Sequence, residues 1–180
     1  NRDNDLLGLR LNGTSDYHWE NIAVSITESD SRYILKTFNI NLNAGRYDSI
    51  LLAILNAYDY NKESRVGDTL HAYDYTKRVD RDFLKCHNMG YHLTLSHGSK
   101  FNTLQAALEN KLNYAAAFDI GRNKPLPETI TINGITFKVL DGDKTDWRVG
   151  DKDGETYIVG LRFKRVPNMT DELKRSFCIA

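Results

Sequence analysis

The sequence predicts an α+β fold built mainly from antiparallel sheet, and three observations carry that expectation. Short β-branched and apolar runs are mixed with a few amphipathic stretches, without the strict strand–helix alternation of a parallel sheet. Asn133-Gly134 sits between two β-branched runs, a strong short-range hairpin signal. The length of 180 residues suits one domain, or two small lobes around a shared cleft. With 41% hydrophobic and 27% charged residues the chain can bury a core, which excludes wholesale disorder.

The elements follow in order. Asn21-Ile-Ala-Val-Ser-Ile26, after Tyr17 and Trp19, reads as a strand. Tyr33 to Leu42 alternates imperfectly and fits either a second strand or a short helix. Asp48 reads as the N-cap of a helix over Ser49 to Tyr58, because a short polar side chain there can accept from orphan amides. From Asp59 to Arg81 the chain is polar and Tyr-rich with poor periodicity, which reads as a long ordered loop with one short element. A brief helix over Asp82 to Met89 stops at Gly90, and Tyr91 to Leu95 follows as an alternating strand. Asn102 caps a helix whose Leu104, Ala107, Leu108 and Leu112 share one face. Thr129–Ile132 and Ile135–Leu140 form the Asn-Gly hairpin. Trp147–Val149 and Thr156–Phe163 continue the β-rich third, and a short helix spans Asp171 to Phe177.

Twenty-four Lys and Arg balance 24 Asp and Glu. Zero net charge argues against a protein held on nucleic acid by bulk phosphate contacts, but it permits one that grips a single RNA end. Cys86 and Cys178 are too few for a disulfide framework and have no metal-type spacing, which fits reduced thiols in the cytoplasm or nucleus. No run reaches the roughly 18 apolar residues of a membrane span. The chain begins at Asn1 without an initiator Met, and residues 1–180 read as a single domain that is an excised or processed fragment.

Chemistry concentrates at His92-Leu-Thr-Leu95. On a strand, residues two apart share a face, so His92 and Thr94 project together while Leu93 and Leu95 enter the core. An imidazole that exchanges protons near neutral pH then stands beside a hydroxyl able to hold a phosphate oxygen. The plainer alternative is a half-exposed strand whose polar face includes a His. His97, with Ser99 and Lys100, can contact a phosphate or simply make a solvated turn. In a chain that follows no known family pattern, His71 is the best internal candidate for a second proton-transfer group, while His18 and His87 suit structural or surface roles. Asp141, Asp143, Asp146, Asp151 and Asp153 hint at calcium but lack the EF-hand frame, and two Asp-Gly turns explain them better.

The stretch Phe83-Leu-Lys-Cys-His-Asn-Met-Gly-Tyr-His-Leu-Thr-Leu-Ser-His-Gly98 resembles the first signature of the two-histidine phosphoesterase superfamily, and is closest to the cyclic phosphodiesterase domain of fungal tRNA ligases. The resemblance implies a two-lobed fold of mainly antiparallel sheets with flanking helices around a central cleft. It also implies hydrolysis of a 2′,3′-cyclic phosphate at RNA 3′ ends to a 2′-phosphate, as in tRNA splicing, with His92 in acid–base catalysis and Thr94 on the phosphate. No metal or other cofactor is implied. Tyr91, His97 and Lys100 become substrate-binding candidates, Tyr91 or Tyr73 by stacking on a base, and the parent chain is expected to carry ligase and kinase domains.

The pattern departs from the family at one point. A second His-x-Thr/Ser motif is expected after Tyr157 to Phe163 and one more helix, and none occurs between Asn1 and Ala180. Ala23-Val-Ser25-Ile26 has the motif's shape with Ala in place of His. Two other classes therefore stay open: a module of the same fold that binds RNA ends or a protein without turnover, and an unrelated nuclease pairing His92 with His71.

Overall fold

The computed structural model of the protein describes residues 7–13, 15–60, 70–98, 102–149, 151, 155–164, 167 and 169–179. The chain divides into two compact units, Asn1–Tyr73 with Lys85–His92, and Asp74–Leu84 with Leu93–Ala180.

In the first unit, strand β1 (Leu7–Leu9) pairs in parallel with the opening of β4 (Leu70–Thr76), with Gly8 opposite His71. A 3-10 turn at Trp19–Asn21 precedes β2 (Val24–Ile26), which pairs antiparallel with β3 (Gly45–Tyr47). Asn12 fixes the approach to that turn: its buried amide oxygen accepts from Trp19 Nε1 at 2.7 Å and from the Tyr17 amide at 3.0 Å. Between β2 and β3 runs α1 (Glu28–Phe38). Thr27 and Asp30 close a reciprocal capping box at its start, and Asn39 ends it in the left-handed conformation, φ +54°. This cap settles the ambiguity over Tyr33 to Leu42 as helix to Phe38 and irregular chain after it. Helix α2 (Ile50–Tyr60) starts one residue later than expected, with Ser49 rather than Asp48 accepting from the Leu52 amide at 3.0 Å. Val24, Ile26, Ile34, Ile40 and Tyr47 pack on a small core of Leu42, Ala53 and Ala57.

Helix α3 (Phe83–Asn88) ends as expected at Gly90, whose φ of +74° suits glycine. It leads into β5 (Tyr91–Ser96), which passes from the first unit to the second after His92. The segment expected to be a long loop holds the seven-residue strand β4; the rest of it, residues 61–69, lies outside the described residues.

In the second unit the strands run in the order β4-β5-β6-β9-β8-β7, with α4 (Thr103–Glu109), β6 (Tyr114–Phe118), β7 (Thr129–Ile132), β8 (Ile135–Asp141) and β9 (Ile158–Arg162), and α5 (Asp171–Phe177) closes the chain. The pairs β5–β6, β6–β9 and β8–β9 are parallel, and only the β7–β8 hairpin is antiparallel among the registers described in this unit. The fold is therefore mixed α/β with a mostly parallel sheet, which corrects the antiparallel expectation. The physical reason lies in the connections. The α4 crossover returns the chain to the starting end of β5, and residues 142–157 carry it back from the end of β8 to the start of β9; parallel neighbours require such crossovers. That second connection carries the Asp-Gly turns that read as hairpin punctuation, and Trp147–Val149 lies within it, outside any strand.

Strand β6 is buried throughout, its three alanines among neighbours. Glycine is required at position 160 of β9, because a Cβ there would stand 2.9 Å from Val139 Cγ1 and 3.1 Å from the Phe118 ring. At the hairpin, Asn133 and Gly134 have φ of +52° and +80°, the tight turn that the dipeptide predicts. Asn102 and Thr170 cap α4 and α5 through their side chains. No helix among the described residues is long and apolar enough to cross a membrane.

Candidate functional site

Strand β5 carries the residues that the sequence singles out, and burial sorts them. His92 is half-buried, but Leu93, Thr94 and Leu95 are all buried, so the strand is covered on both faces rather than exposing one. Thr94 is 3% exposed, and its hydroxyl is not presented to solvent. Tyr91 is 1% exposed and its hydroxyl accepts from Asn12 Nδ2 at 3.5 Å, so its ring is core and not a surface for a base to stack on. Tyr73 on β4 is buried as well. Ser99 and Lys100 lie outside the described residues. His71 is half-buried on β4, in the first unit with His92, and β4 and β5 are neighbouring strands. His87 is exposed on α3.

His97, directly after β5, is held from several sides. Its Nδ1 is 2.7 Å from the Tyr114 hydroxyl, which is 3.3 Å from Thr103 Oγ1. Burial draws the His97 pKa below its ordinary 6.5; a hydrogen bond with the backbone of Ser176 opposes that shift and the Lys77 charge adds to it. Burial likewise pushes the Tyr114 hydroxyl up, against the Thr103 hydrogen bond. The imidazole is therefore neutral at neutral pH and ties the end of β5 to the start of β6 and the last turn of α5. A ring bonded on both sides suits a clamp better than a substrate ligand.

A second concentration of polar chemistry lies where β6, β9 and β8 end. A pocket of about 720 Å³ opens there, lined by Arg122, Asn123, Asp143, Arg162, Phe163 and Lys164. Arg162, the last residue of β9, forms a two-pronged bond to Asp141, Nη1 to Oδ1 at 2.8 Å and Nη2 to Oδ2 at 3.0 Å. Its Nη1 also donates to Asp143 Oδ2 at 3.0 Å, its Nε to the Lys124 carbonyl at 2.8 Å, and its amide to Asp143 Oδ2 at 2.8 Å. These bonds raise the Arg162 pKa and hold the Asp141 carboxyl below its ordinary 3.8. Asp141 and Asp143 are thus partners of an arginine in a turn, and among the described residues no group of three or more His, Cys, Asp or Glu side chains could hold a metal ion. Asp151 instead pairs with buried Arg148 at 2.8 Å, its pKa raised by burial against that pull.

The sequence reading passes over Arg122, Asn123, Arg162 and Lys164, because they form no local motif. The one local signal was an arginine closing a β-branched run, Arg162, with carboxylates available in the preceding turn.

No family model matches the chain, and no curated protein or solved structure matches it either. The phosphoesterase resemblance therefore rests on residues 83–98 and on the order of local elements around them.

Proposed function

We propose that this chain performs histidine acid–base chemistry on phosphoesters at RNA 3′ ends, opening a 2′,3′-cyclic phosphate to a 2′-phosphate and a 3′-hydroxyl. The observation that carries the reading is the pair of half-buried histidines on neighbouring strands, His71 on β4 and His92 on β5, within one unit. Ring opening needs two proton transfers. One imidazole takes a proton from water as its oxygen attacks phosphorus; the other gives a proton to the 3′ oxygen as the P–O3′ bond breaks. This pairing departs from the family pattern, whose second histidine comes from a second His-x-Thr/Ser strand, and takes up instead the His92–His71 pairing that the sequence left open as a class of its own. Helix α3, strand β5 and helix α4 also follow one another as the resemblance implies. The two-lobed cleft and the attached ligase and kinase domains belong to the same proposal.

A second reading, binding of RNA ends without turnover, draws on the burial of Thr94, which removes the expected phosphate ligand from solvent. One assay separates the two. RNA ending in a 2′,3′-cyclic phosphate is incubated with the protein in EDTA at neutral pH. The proposal expects turnover that is lost in both His92→Ala and His71→Ala and kept in His97→Gln. Turnover that survives His92→Ala sinks the proposal, and retained binding without any turnover selects the second reading.

A further inference from the structure

We propose that the pocket at the carboxyl ends of β6, β9 and β8 binds a phosphate monoester carried on a hydroxylated sugar, a nucleoside monophosphate being the representative ligand. This site is separate from the histidine chemistry, and the inference does not depend on it.

Topology comes first. The chain moves through β4, β5 and β6 in one direction across the sheet, then leaves for the edge strand β7 and returns through β8 to β9. Strand order therefore reverses between β6 and β9. Because β6, β9 and β8 are parallel, all three end on one side, with Phe118 level with Arg162 and Asp141 level with Gly160. In open parallel sheets such a reversal leaves a crevice at the carboxyl ends where ligands bind, and its volume of about 720 Å³ lies within the range of small-molecule sites.

The lining chooses the ligand. Arg162 is already committed to Asp141 and Asp143, so it forms a rigid wall rather than a free charge. Arg122 and Lys164 lie on the same pocket with no carboxylate partner among the described residues. Arg122, Arg162 and Lys164 against Asp143 and the Asp141 carboxylate that Arg162 grips leave a surplus of one positive charge, carried by the uncommitted Arg122 and Lys164, which favours an anion and disfavours a bare metal cation. Two uncommitted cations suit one phosphate group, and the neutral net charge of the whole chain argues against a long nucleic-acid backbone. Arg162 engages Asp143 through Oδ2, so Oδ1 is the acceptor positioned for a sugar hydroxyl, and Asn123 adds an amide. Phe163 gives an apolar wall, its ring braced by Phe177 at 6.0 Å and by Lys174 Nζ at 5.7 Å.

Calorimetric titration of the whole chain at low ionic strength tests this with adenosine 5′-monophosphate, adenosine and inorganic phosphate as probes. The monophosphate should bind, and adenosine or phosphate alone should bind at least about tenfold more weakly. The exposed pair Arg122→Ala/Lys164→Ala should fold normally and lose about tenfold or more in affinity for the monophosphate. Asp143→Asn should weaken the monophosphate while inorganic phosphate binds as tightly as before or more tightly, and His92→Ala should bind as the parent does. The proposal is overturned by no binding at about 1 mM monophosphate, by equal affinity in the double variant, or by phosphate binding as tightly as the nucleotide.

Discussion

The two units of this chain differ in how they use their residues. In the first, a three-residue antiparallel pair packs with α1 and α2 on a cluster of Leu42, Ala53 and Ala57, beside an apolar cavity of about 290 Å³ lined by side chains such as Val24, Ile26 and Ile54. Helix α1 buries no residue fully and leaves Tyr33, Leu35 and Phe38 exposed. In the second, the central strands β5 and β6 are buried on both faces, and the polar chemistry stands at the ends of the sheet's parallel strands, where backbone groups leave the ladder. A dense sheet supports a fixed binding wall such as the Arg162 clamp. The histidine pair sits instead on strands that the first unit shares, and neither histidine lines its cavity. Under the two proposals, recognition and proton transfer fall to different residues of the chain.

That contrast can be broken or sharpened. The largest expected effect is on turnover: removing either His71 or His92 should lower kcat on a cyclic-phosphate RNA by about 10²–10⁴-fold, the usual contribution of a general acid or base. Next comes packing, read by urea denaturation. Phe118→Ala, at a position 1% exposed in the second unit, should cost about 4 kcal/mol, while Leu42→Ala in the first should cost about 2 kcal/mol, because one side of Leu42 already faces the cavity. Equal losses would show that the units are packed alike. Tyr114→Phe should cost about 1–2 kcal/mol by leaving His97 without its hydroxyl partner, and turnover should be unaffected.

The smallest effect is a pH dependence. Arg162 holds the Asp141 carboxyl below its ordinary 3.8, so the native state binds that proton less readily than the unfolded chain. The stabilisation is complete above about pH 3.8 and is lost as the pH falls through the lower native value. The drop in Tm caused by Arg162→Ala should therefore be present at pH 7 and shrink in strong acid. A constant drop across that range would show that the arginine acts by packing alone.

Much of this fold was legible because its signals are local. Asn133-Gly134, Asn102 before α4, Gly90 after α3 and the alternation of Tyr91 to Leu95 each act over a few residues, and an element of the expected type formed at each, although α4 stops at Glu109, short of Leu112, and β5 buries Thr94 along with Leu93 and Leu95. What depends on distant pairing was not legible. Tyr114-Ala-Ala-Ala-Phe118 has little strand propensity, and it becomes β6 only because neighbours cover both its faces. Parallel pairing followed from connections that also contain turn signals, so local chemistry pointed to hairpins. The candidate chemistry divides in the same way. His92 and His71 stood out as residue types, whereas their position on adjacent strands is a property of the sheet. The pocket draws on residues from 122 to 164, and only the reversal of strand order gathers them.

The central claim is best tested by the end group left on an RNA that starts with a 2′,3′-cyclic phosphate, read by mass and by sensitivity to a 3′-phosphatase. The account predicts a 2′-phosphate beside a 3′-hydroxyl, formed in EDTA by the parent chain and not by His92→Ala. An unchanged cyclic end, or a 3′-phosphate product, would contradict it.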